Sequence, residues 1–255
     1  MKAKNLHLFS ISAIVLLVFS ISAGALVQIP ANENAKENAK APEKSLVITP
    51  DWQLERVDFI HYAKTEKPTP GKPPAANTCY KLMGVKWSAF PVNYAINPAN
   101  PQGLSEAFVT SAISASAETW DNSTSRELFN NSFAVDYSAT YGTRNNVNAI
   151  AFGDYDSNNV IAITSVWYTK AGKQIVEFDM LLNTRFNWGD ATASQSIMDL
   201  QNIATHEFGH SVGMNDIYSS LCSLVTMYGY GADGETRKRT LEQADITGLQ
   251  KMYGA

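Results

Sequence analysis

The chain has 255 residues, of which 45% are hydrophobic and 17% are charged, and its formal net charge at pH 7 is -4. This composition excludes a collagen-like or wholly disordered chain, and the near-neutral charge excludes a broad basic surface for nucleic acid. One globular domain is the first expectation. Only four histidines and two cysteines are present, and these small sets limit the metal and disulfide chemistry open to the chain.

The amino terminus has the pattern of an export signal. Lys2 and Lys4 precede an apolar stretch, residues 6–27, which contains the small residues Ala23, Gly24 and Ala25. A short basic region, an apolar run and an A-x-A ending are typical of a secretory signal peptide, so residues 1–25 are predicted to be removed. An uncleaved membrane anchor is the alternative, because about 20 apolar residues can span a bilayer. The serines within the stretch favour cleavage.

Residues 26–77 are predicted to be a pro-segment or linker that is largely disordered. Asn, Glu, Lys, Ala and Pro dominate its composition, and such a stretch cannot bury enough apolar surface to offset the loss of conformational entropy. One patch within residues 51–63 breaks the pattern, because its apolar side chains can dock on a folded domain. A Pro-rich run at 68–74 then marks the boundary of a domain predicted to span 78–255.

The elements of that domain follow in chain order from periodicity and end signals. Alternation predicts a strand over 85–97 with a break near Pro91, and Ser105 is the expected cap of a helix that runs to about Trp120. Thr240 and Gln243 have the spacing of a capping box at the start of the last helix. Strands are predicted at 133–137, 148–152, 160–168 and 174–182, and helices at 196–212 and 241–253. This order favours an α/β or α+β domain with a mixed sheet.

His206, Glu207 and His210 form an H-E-x-x-H pattern within an apolar-periodic segment. On a helix, residues i and i+4 point the same way, so the two imidazoles can bind one metal ion while Glu207 lies beside it. Gly213 stands where the helix must end if the chain is to return towards the metal, and Asp216 follows three residues later. The full string has the H-E-x-x-H-x-x-G-x-x spacing of a third ligand, with Asp at that position.

The third ligand follows from the histidine count. The remaining histidines, His7 and His61, lie in the predicted signal peptide and pro-segment. Asp216 is therefore the best remaining donor, and a carboxylate oxygen is an accepted zinc ligand. The alternative is that Asp216 is a loop carboxylate that caps a turn.

The motif and its surroundings resemble the metzincin metallopeptidases and, within them, the matrixins. The segment with Met227 is similar to their Met-turn, residues 241–254 are similar to their closing helix, and the likeness begins at about Lys86. Asp216 in third place resembles the snapalysin-type variant. The resemblance implies an α+β domain (α/β-type zincin fold) with a mixed, mostly parallel twisted sheet of about five strands, three main helices and an active-site helix followed by the Met-turn. It also implies that Met227 packs beneath the ligands without binding the ion.

The chain also departs from the matrixin pattern. It has no histidines for a second, structural zinc, and Cys79 lacks the P-R-C-G context of the matrixin pro-segment cysteine. Cys79 and Cys222 are the only thiols, and an even count in an exported chain predicts a disulfide between them. The alternative is that Cys79 binds the zinc as an inhibitory thiolate.

The motif and the resemblance together predict a secreted zinc metalloendopeptidase, made as a zymogen, in which a zinc-bound water activated by Glu207 attacks the peptide bond. The expected partner is a protein or peptide substrate, held as an extended strand against 148–152 or 160–168. The protein is expected to be a monomer without a nucleic-acid partner, and to meet a membrane only if its N-terminal segment is uncleaved. The alternatives are a non-catalytic, zinc-stabilised extracellular binding or surface protein and a membrane-tethered peptidase.

Two further clusters have simpler interpretations. Asp154, Asp156 and Asn158 are candidate calcium ligands, although a solvated Asp/Asn turn explains them equally well. Residues 237–239, an Arg-Lys-Arg run, are predicted to be a solvated charge run before the last helix.

Overall fold

The computed structural model describes residues 45–47, 53–64 and 79–255. The predicted signal peptide, the Pro-rich run and Trp52 lie outside these residues. Within them, no helix combines the length and the apolar character that a membrane crossing requires.

Ten strands and three α-helices make up the described part. The helices are α1 (Glu106–Asp121), α2 (Leu200–Ser211) and α3 (Gln243–Tyr253), and short 3-10 turns occupy Ser220–Cys222 and Arg237–Arg239. The strands are β1 (Ser45–Val47), β2 (Leu54–Ala63), β3 (Ala95–Asn97), β4 (Ala134–Val135), β5 (Ala149–Gly153), β6 (Val160–Thr169), β7 (Ile175–Asn183), β8 (Trp188–Gly189), β9 (Met198–Asp199) and β10 (Tyr230–Gly231).

The main sheet has the order β1-β2-β6-β7-β5-β3-β4, and β10 pairs with β2. Strands β4, β3, β5 and β7 are mutually parallel, whereas β6 is antiparallel to β7 and β2 is antiparallel to β6. The predicted α+β class with a mixed sheet is therefore confirmed. The estimate of about five strands was too low, because β1, β2 and β10 extend the sheet beyond β6.

Strand β2 comes from the segment that was predicted to be largely disordered. Its side chains at Val57, Phe59 and His61 are buried on one face, and the strand pairs with β6 at nine residues, with a shift of register between His61 and Tyr62. These contacts belong to the patch whose apolar side chains were predicted to dock on the folded domain. Burial of that face offsets the ordering entropy which the surrounding composition cannot offset.

The three predicted helices form; α1 starts where predicted, and α2 and α3 start later than predicted. Helix α1 begins after Ser105, whose side chain accepts a hydrogen bond from the N–H of Phe108 at 3.2 Å. Helix α2 begins at Leu200 because Asp199 caps it, which corrects the predicted start at 196. Helix α3 begins at Gln243 with a capping box of Glu242 and Asp245, so the predicted capping box of Thr240 and Gln243 was wrong.

The predicted strand over 85–97 is mostly irregular. Only its last three residues pair within a strand, and the earlier part contributes single bridges at Lys86 and Val92. Pro91 lies between these bridges and cannot donate a hydrogen bond to a ladder, so the alternation of apolar residues overestimated the strand.

Candidate active site

Helix α2 presents two histidines to one side and ends two residues before Gly213. His206 and His210 are one turn apart and both are fully buried. Gly213 has a φ of 100°, and an added Cβ there would lie 2.3 Å from the carbonyl oxygen of Val85. Only glycine adopts this conformation in so little space, and the chain then turns back towards the helix. Asp216 thereby reaches the two imidazoles.

Three donor atoms form a nearly equilateral triangle at this turn. The Nε2 atoms of His206 and His210 are 3.1 Å apart, and Oδ1 of Asp216 lies 3.2 Å from the first and 3.4 Å from the second. A tetrahedral zinc ion with ligands at about 2.0–2.1 Å has ligand atoms about 3.3–3.4 Å apart. The triangle therefore fits one face of a zinc coordination tetrahedron.

The hydrogen bonds of the imidazoles leave lone pairs directed at the centre of the triangle. His206 Nδ1 lies 2.7 Å from the carbonyl oxygen of Thr226, and His210 Nδ1 lies 3.0 Å from that of Met214. A carbonyl only accepts hydrogen bonds, so each Nδ1 carries the proton and each Nε2 is free to bind a metal. This arrangement is typical of metal-ligating histidines.

Asp216 completes the same arrangement. Its Oδ2 accepts a hydrogen bond from the Tyr218 hydroxyl at 3.0 Å, whereas its buried Oδ1 has no hydrogen-bond donor among the described residues. A buried carboxylate oxygen without a donor is costly unless a cation is bound to it. The donor set therefore fits a divalent metal ion, and zinc in particular, because two imidazoles and one carboxylate are among its preferred ligands.

The electrostatics of the triangle also favour a bound cation. Burial lowers the pKa of His206 to about 3, so this imidazole is neutral. Burial opposes the charged form of His210 as well, but the adjacent Asp216 carboxylate outweighs it and raises the pKa of His210. The two imidazoles hold the pKa of Asp216 below its usual range despite its burial. The triangle thus combines the neutral imidazole of His206 with the anionic carboxylate of Asp216. This pair attracts a cation.

The turn that contains Met227 is held from below by helix α3. The Asp245 carboxylate accepts hydrogen bonds from the N–H groups of Thr226 at 2.8 Å and Met227 at 3.2 Å. Met227 is fully buried, and an added Cβ on Gly209 would lie 2.2 Å from its Sδ atom. Its thioether therefore packs against α2 at Gly209, which agrees with the packing role that the resemblance implies.

Glu207 lies on the same helix, and two side chains occupy its carboxylate. Oε1 is 3.0 Å from Nδ1 of His61, and Oε2 accepts a hydrogen bond from the Thr164 hydroxyl at 2.5 Å. The residue is fully buried, and this burial raises the pKa of Glu207 to about 7. A carboxylic acid with such a pKa can take up and release a proton near neutral pH.

Strand β2 covers the metal triangle. The Phe59 ring stacks on the His210 ring, with centroids 4.1 Å apart and planes 7° apart. The His61 ring lies against the His206 ring at a centroid distance of 3.9 Å. In this form of the protein, solvent does not reach His206, Glu207 or His210.

A buried lysine stands behind His61. Lys238 Nζ donates hydrogen bonds to His61 Nε2 at 3.1 Å and to the carbonyl oxygens of Tyr228 and Tyr230 at 2.6 and 2.9 Å. The prediction that 237–239 is a solvated charge run is therefore wrong for Lys238, which is fully buried. Burial lowers its pKa to about 8, so the amine is still a donor at pH 7. Arg239 is also engaged, because it pairs with Asp199 at the start of α2.

The remaining predicted site residues lie away from the triangle. Cys79 and Cys222 are joined in a disulfide. This bond links the start of residues 79–255 to the loop between Asp216 and Met227. Asp154 and Asp156 each pair with Arg185 at 2.8 Å, and neither belongs to a cluster of His, Cys, Asp or Glu side chains that could hold a metal among the described residues. The calcium site stays a prediction without support from the fold.

Sequence reasoning missed four residues that contact the site: His61, Thr164, Tyr218 and Lys238. His61 was assigned to the pro-segment and excluded as a ligand, yet it forms a second group of close donors with His206 and Glu207. No local pattern marks any of these contacts. The one available indication was the apolar alternation around His61.

The fold and the site together define a class of protein. Two histidines on a helix with an intervening glutamate, a glycine bend and a buried methionine turn are features of a metzincin metallopeptidase, and Asp216 lies where the third histidine of that motif usually stands. A family model described as matrixin matches residues 86–254, which is well over half of the chain. The chain therefore belongs to the matrixin family and is a zinc metallopeptidase. A comparison with curated proteins found no match.

Proposed function

We propose that this protein is a secreted zinc endopeptidase made as a pro-enzyme, with His206, His210 and Asp216 as the zinc ligands and Glu207 as the general base. The observation that carries the proposal is the triangle of donor atoms, 3.1 to 3.4 Å on a side, with a carboxylate of shifted pKa on the same helix. The signal-like residues 1–25 support secretion.

The chain's own residues then divide the work. A zinc ion held by the three donors would polarise a water molecule and the carbonyl of the substrate peptide. Glu207 takes a proton from the water and later passes it to the departing amine. The Thr164 hydroxyl, bonded to Oε2 at 2.5 Å, fixes the direction in which Oε1 points. Glu207 can act only when His61 no longer occupies Oε1.

The position of β2 supports cleavage within a chain and not at its ends. Of the two candidate edges, 148–152 lies inside the sheet as β5, so β6 is the edge of the sheet that is left when β2 is set aside. Strand β2 passes the metal triangle at Phe59 and His61 and remains paired with β6 on both sides of it. A substrate strand in the same place would extend in both directions, as an endopeptidase requires.

The pro-enzyme part of the proposal rests on the same strand. Because β2 fills the edge of β6 and its side chains cover the imidazoles of His206 and His210, a peptide cannot reach the site while β2 stays. We expect activity to appear only after the segment that carries β2 is cut from residues 79–255 and removed.

The test uses the full-length, zinc-loaded protein with a specific protease site inserted within residues 65–78. After cleavage, the N-terminal fragment is stripped in moderate urea, and casein hydrolysis is measured. Glu207→Gln should reduce the rate by at least about 100-fold, whereas Glu127→Gln, an exposed matched control, should not change it. Equal rates for Glu207→Gln and the wild type would refute the chemistry. Zinc binding without cleavage of any peptide would instead favour the non-catalytic alternative.

A further inference from the structure

The pocket that His61 fills has the side chains of Ile161 and Ile203 on one side, the Glu207 carboxylate at Nδ1 and a positive charge at its end. An added Cβ on Gly231 would lie 3.1 Å from His61 Nε2, 3.0 Å from Ile203 and 3.1 Å from Ile161, so these residues surround the imidazole closely. Lys238 closes the pocket with its ammonium group at Nε2. Because Gly231 carries no side chain, the pocket has room for the side chain of an inserted strand.

The residue that occupies this pocket accepts one of the three hydrogen bonds of the Lys238 ammonium group. Lys238 has three N–H donors, and its three acceptors are two carbonyl oxygens and His61 Nε2. No carboxylate of the described residues forms an ion pair with it. When β2 leaves, one N–H of the Lys238 ammonium group loses His61 as its partner and faces the emptied pocket. An unpaired buried donor strongly favours an occupant that offers an acceptor.

The position of His61 also defines which substrate residue enters the pocket. Strand β2 is antiparallel to β6 and parallel to β10, so it has both edges paired at the site. Under the proposed mechanism, Glu207 delivers its proton to the departing amine, and the side chain nearest to that carboxylate belongs to the residue that carries this amine. In β2 that side chain is His61, at 3.0 Å. The pocket therefore receives the residue that follows the cleaved bond.

We infer that Lys238 determines specificity: the peptidase prefers substrates with glutamate, and next glutamine, directly after the cleaved bond. The inference rests on the proposed function and names its substrate class. A glutamate or glutamine oxygen is as many covalent bonds from Cα as the Nε2 atom of histidine, so it reaches Nζ, whereas an aspartate oxygen is one bond shorter. The carboxylate of glutamate adds a charged hydrogen bond to the buried cation.

The first test measures matched peptides with the activated wild-type enzyme. We expect kcat/KM for glutamate after the cleaved bond to exceed that for leucine by about 10- to 100-fold, the ratio that corresponds to a hydrogen bond to a charged group. Lys238→Met should bring this ratio to one or below, and Lys81→Met, an exposed lysine, should leave the ratio as it is. A wild-type ratio near one, or a preference that persists in Lys238→Met, overturns the inference.

The second test needs no activity and uses the full-length chain, with β2 as a built-in ligand. His61→Gln keeps an acceptor for Lys238, while His61→Leu removes it. We expect the Tm of His61→Leu to be lower by roughly 3–10 °C, and the difference to vanish in the Lys238→Met background. Equal Tm values for the two variants overturn the inference. If no peptide is cleaved at all, the proposed function fails, and this comparison still decides whether the pocket selects an acceptor.

Discussion

Removal of Asp216 is expected to weaken zinc binding strongly. The donor triangle has sides of 3.1, 3.2 and 3.4 Å, so each of its three atoms can reach one ion at an ordinary bond length. Zinc sites with four protein ligands bind with about 10–16 kcal/mol, or roughly 2.5–4 kcal/mol for each ligand. For Asp216→Ala this corresponds to an increase in Kd on the order of 10²–10³-fold.

The geometry also predicts a graded series. Tyr218→Phe removes only the hydroxyl that orients Asp216 through Oδ2 at 3.0 Å, and loss of such a supporting hydrogen bond typically lowers metal affinity about 10- to 100-fold. Asp233→Ala is the matched control, because Asp233 is exposed and lies outside the metal-capable clusters of the described residues. Its Kd should equal that of the wild type.

The measurement is competition for zinc between the metal-stripped full-length protein and a chromophoric chelator, at equilibrium and fixed pH. Circular dichroism of each metal-free variant checks that the fold is retained. If Asp216→Ala binds zinc as tightly as the wild type, Asp216 is only a turn-capping carboxylate and the three-donor interpretation is wrong. If Asp233→Ala weakens binding equally, the effect is one of overall charge and not of ligation.

Three further perturbations test the structure around the site. Gly209→Ala should lower the free energy of unfolding in urea by roughly 3 kcal/mol, because its Cβ would lie 2.2 Å from Met227 Sδ. Burial raises the pKa of Asp179 to about 7, so between pH 4 and 7 the unfolded chain releases a proton that the folded chain keeps. The free energy of unfolding, measured with urea at a series of pH values, should therefore fall over that range by up to about 1.4 kcal/mol per pH unit. Asp179→Asn should abolish this dependence on pH. Cys222→Ser opens the bridge to Cys79 and should lower stability by about 3–5 kcal/mol.

Each of these results can contradict its premise. An unchanged urea midpoint for Gly209→Ala would mean that the methionine turn is not packed against α2. The same pH slope in Asp179→Asn and the wild type would assign the titration to other groups. For the disulfide, the control is the wild type with reductant, which should match Cys222→Ser; a stable reduced protein would show that the bridge adds little.

The parts that could be predicted are those encoded within one turn or one element. Ser105 caps α1 by a contact three residues away, and His206 and His210 share a face because they are four residues apart. Gly213 and Asp216 follow within the same short segment. Local sterics and spacing fix such features, so a single sequence contains enough information to find them.

The rest depends on contacts between distant segments. Glu207 meets Thr164 across 43 residues and His61 across 146, and Lys238 meets His61 across 177. No periodicity in the sequence encodes these pairs. Lys238 lies between Arg237 and Arg239, and a run of three basic residues predicts exposed side chains and not a buried one. Strand β2 was not predicted as a strand for a related reason. The polar composition of residues 26–77 as a whole indicates disorder, and one ten-residue strand changes that composition little.

The cover over the site is held by contacts as well as by the covalent chain. Strand β2 pairs with β6 at nine residues, and its Phe59 and His61 rings pack on the imidazoles of His210 and His206. A cut within residues 65–78 removes only the tether, whose effective concentration is on the order of mM, and leaves these contacts in place. The appearance of casein hydrolysis should therefore lag behind cleavage of the tether. The rate per enzyme molecule should increase when the nicked protein is diluted, because dilution favours dissociation of the β2 fragment. Full activity at the moment of cleavage, independent of dilution, would show that the tether and not the pairing of β2 holds the site closed.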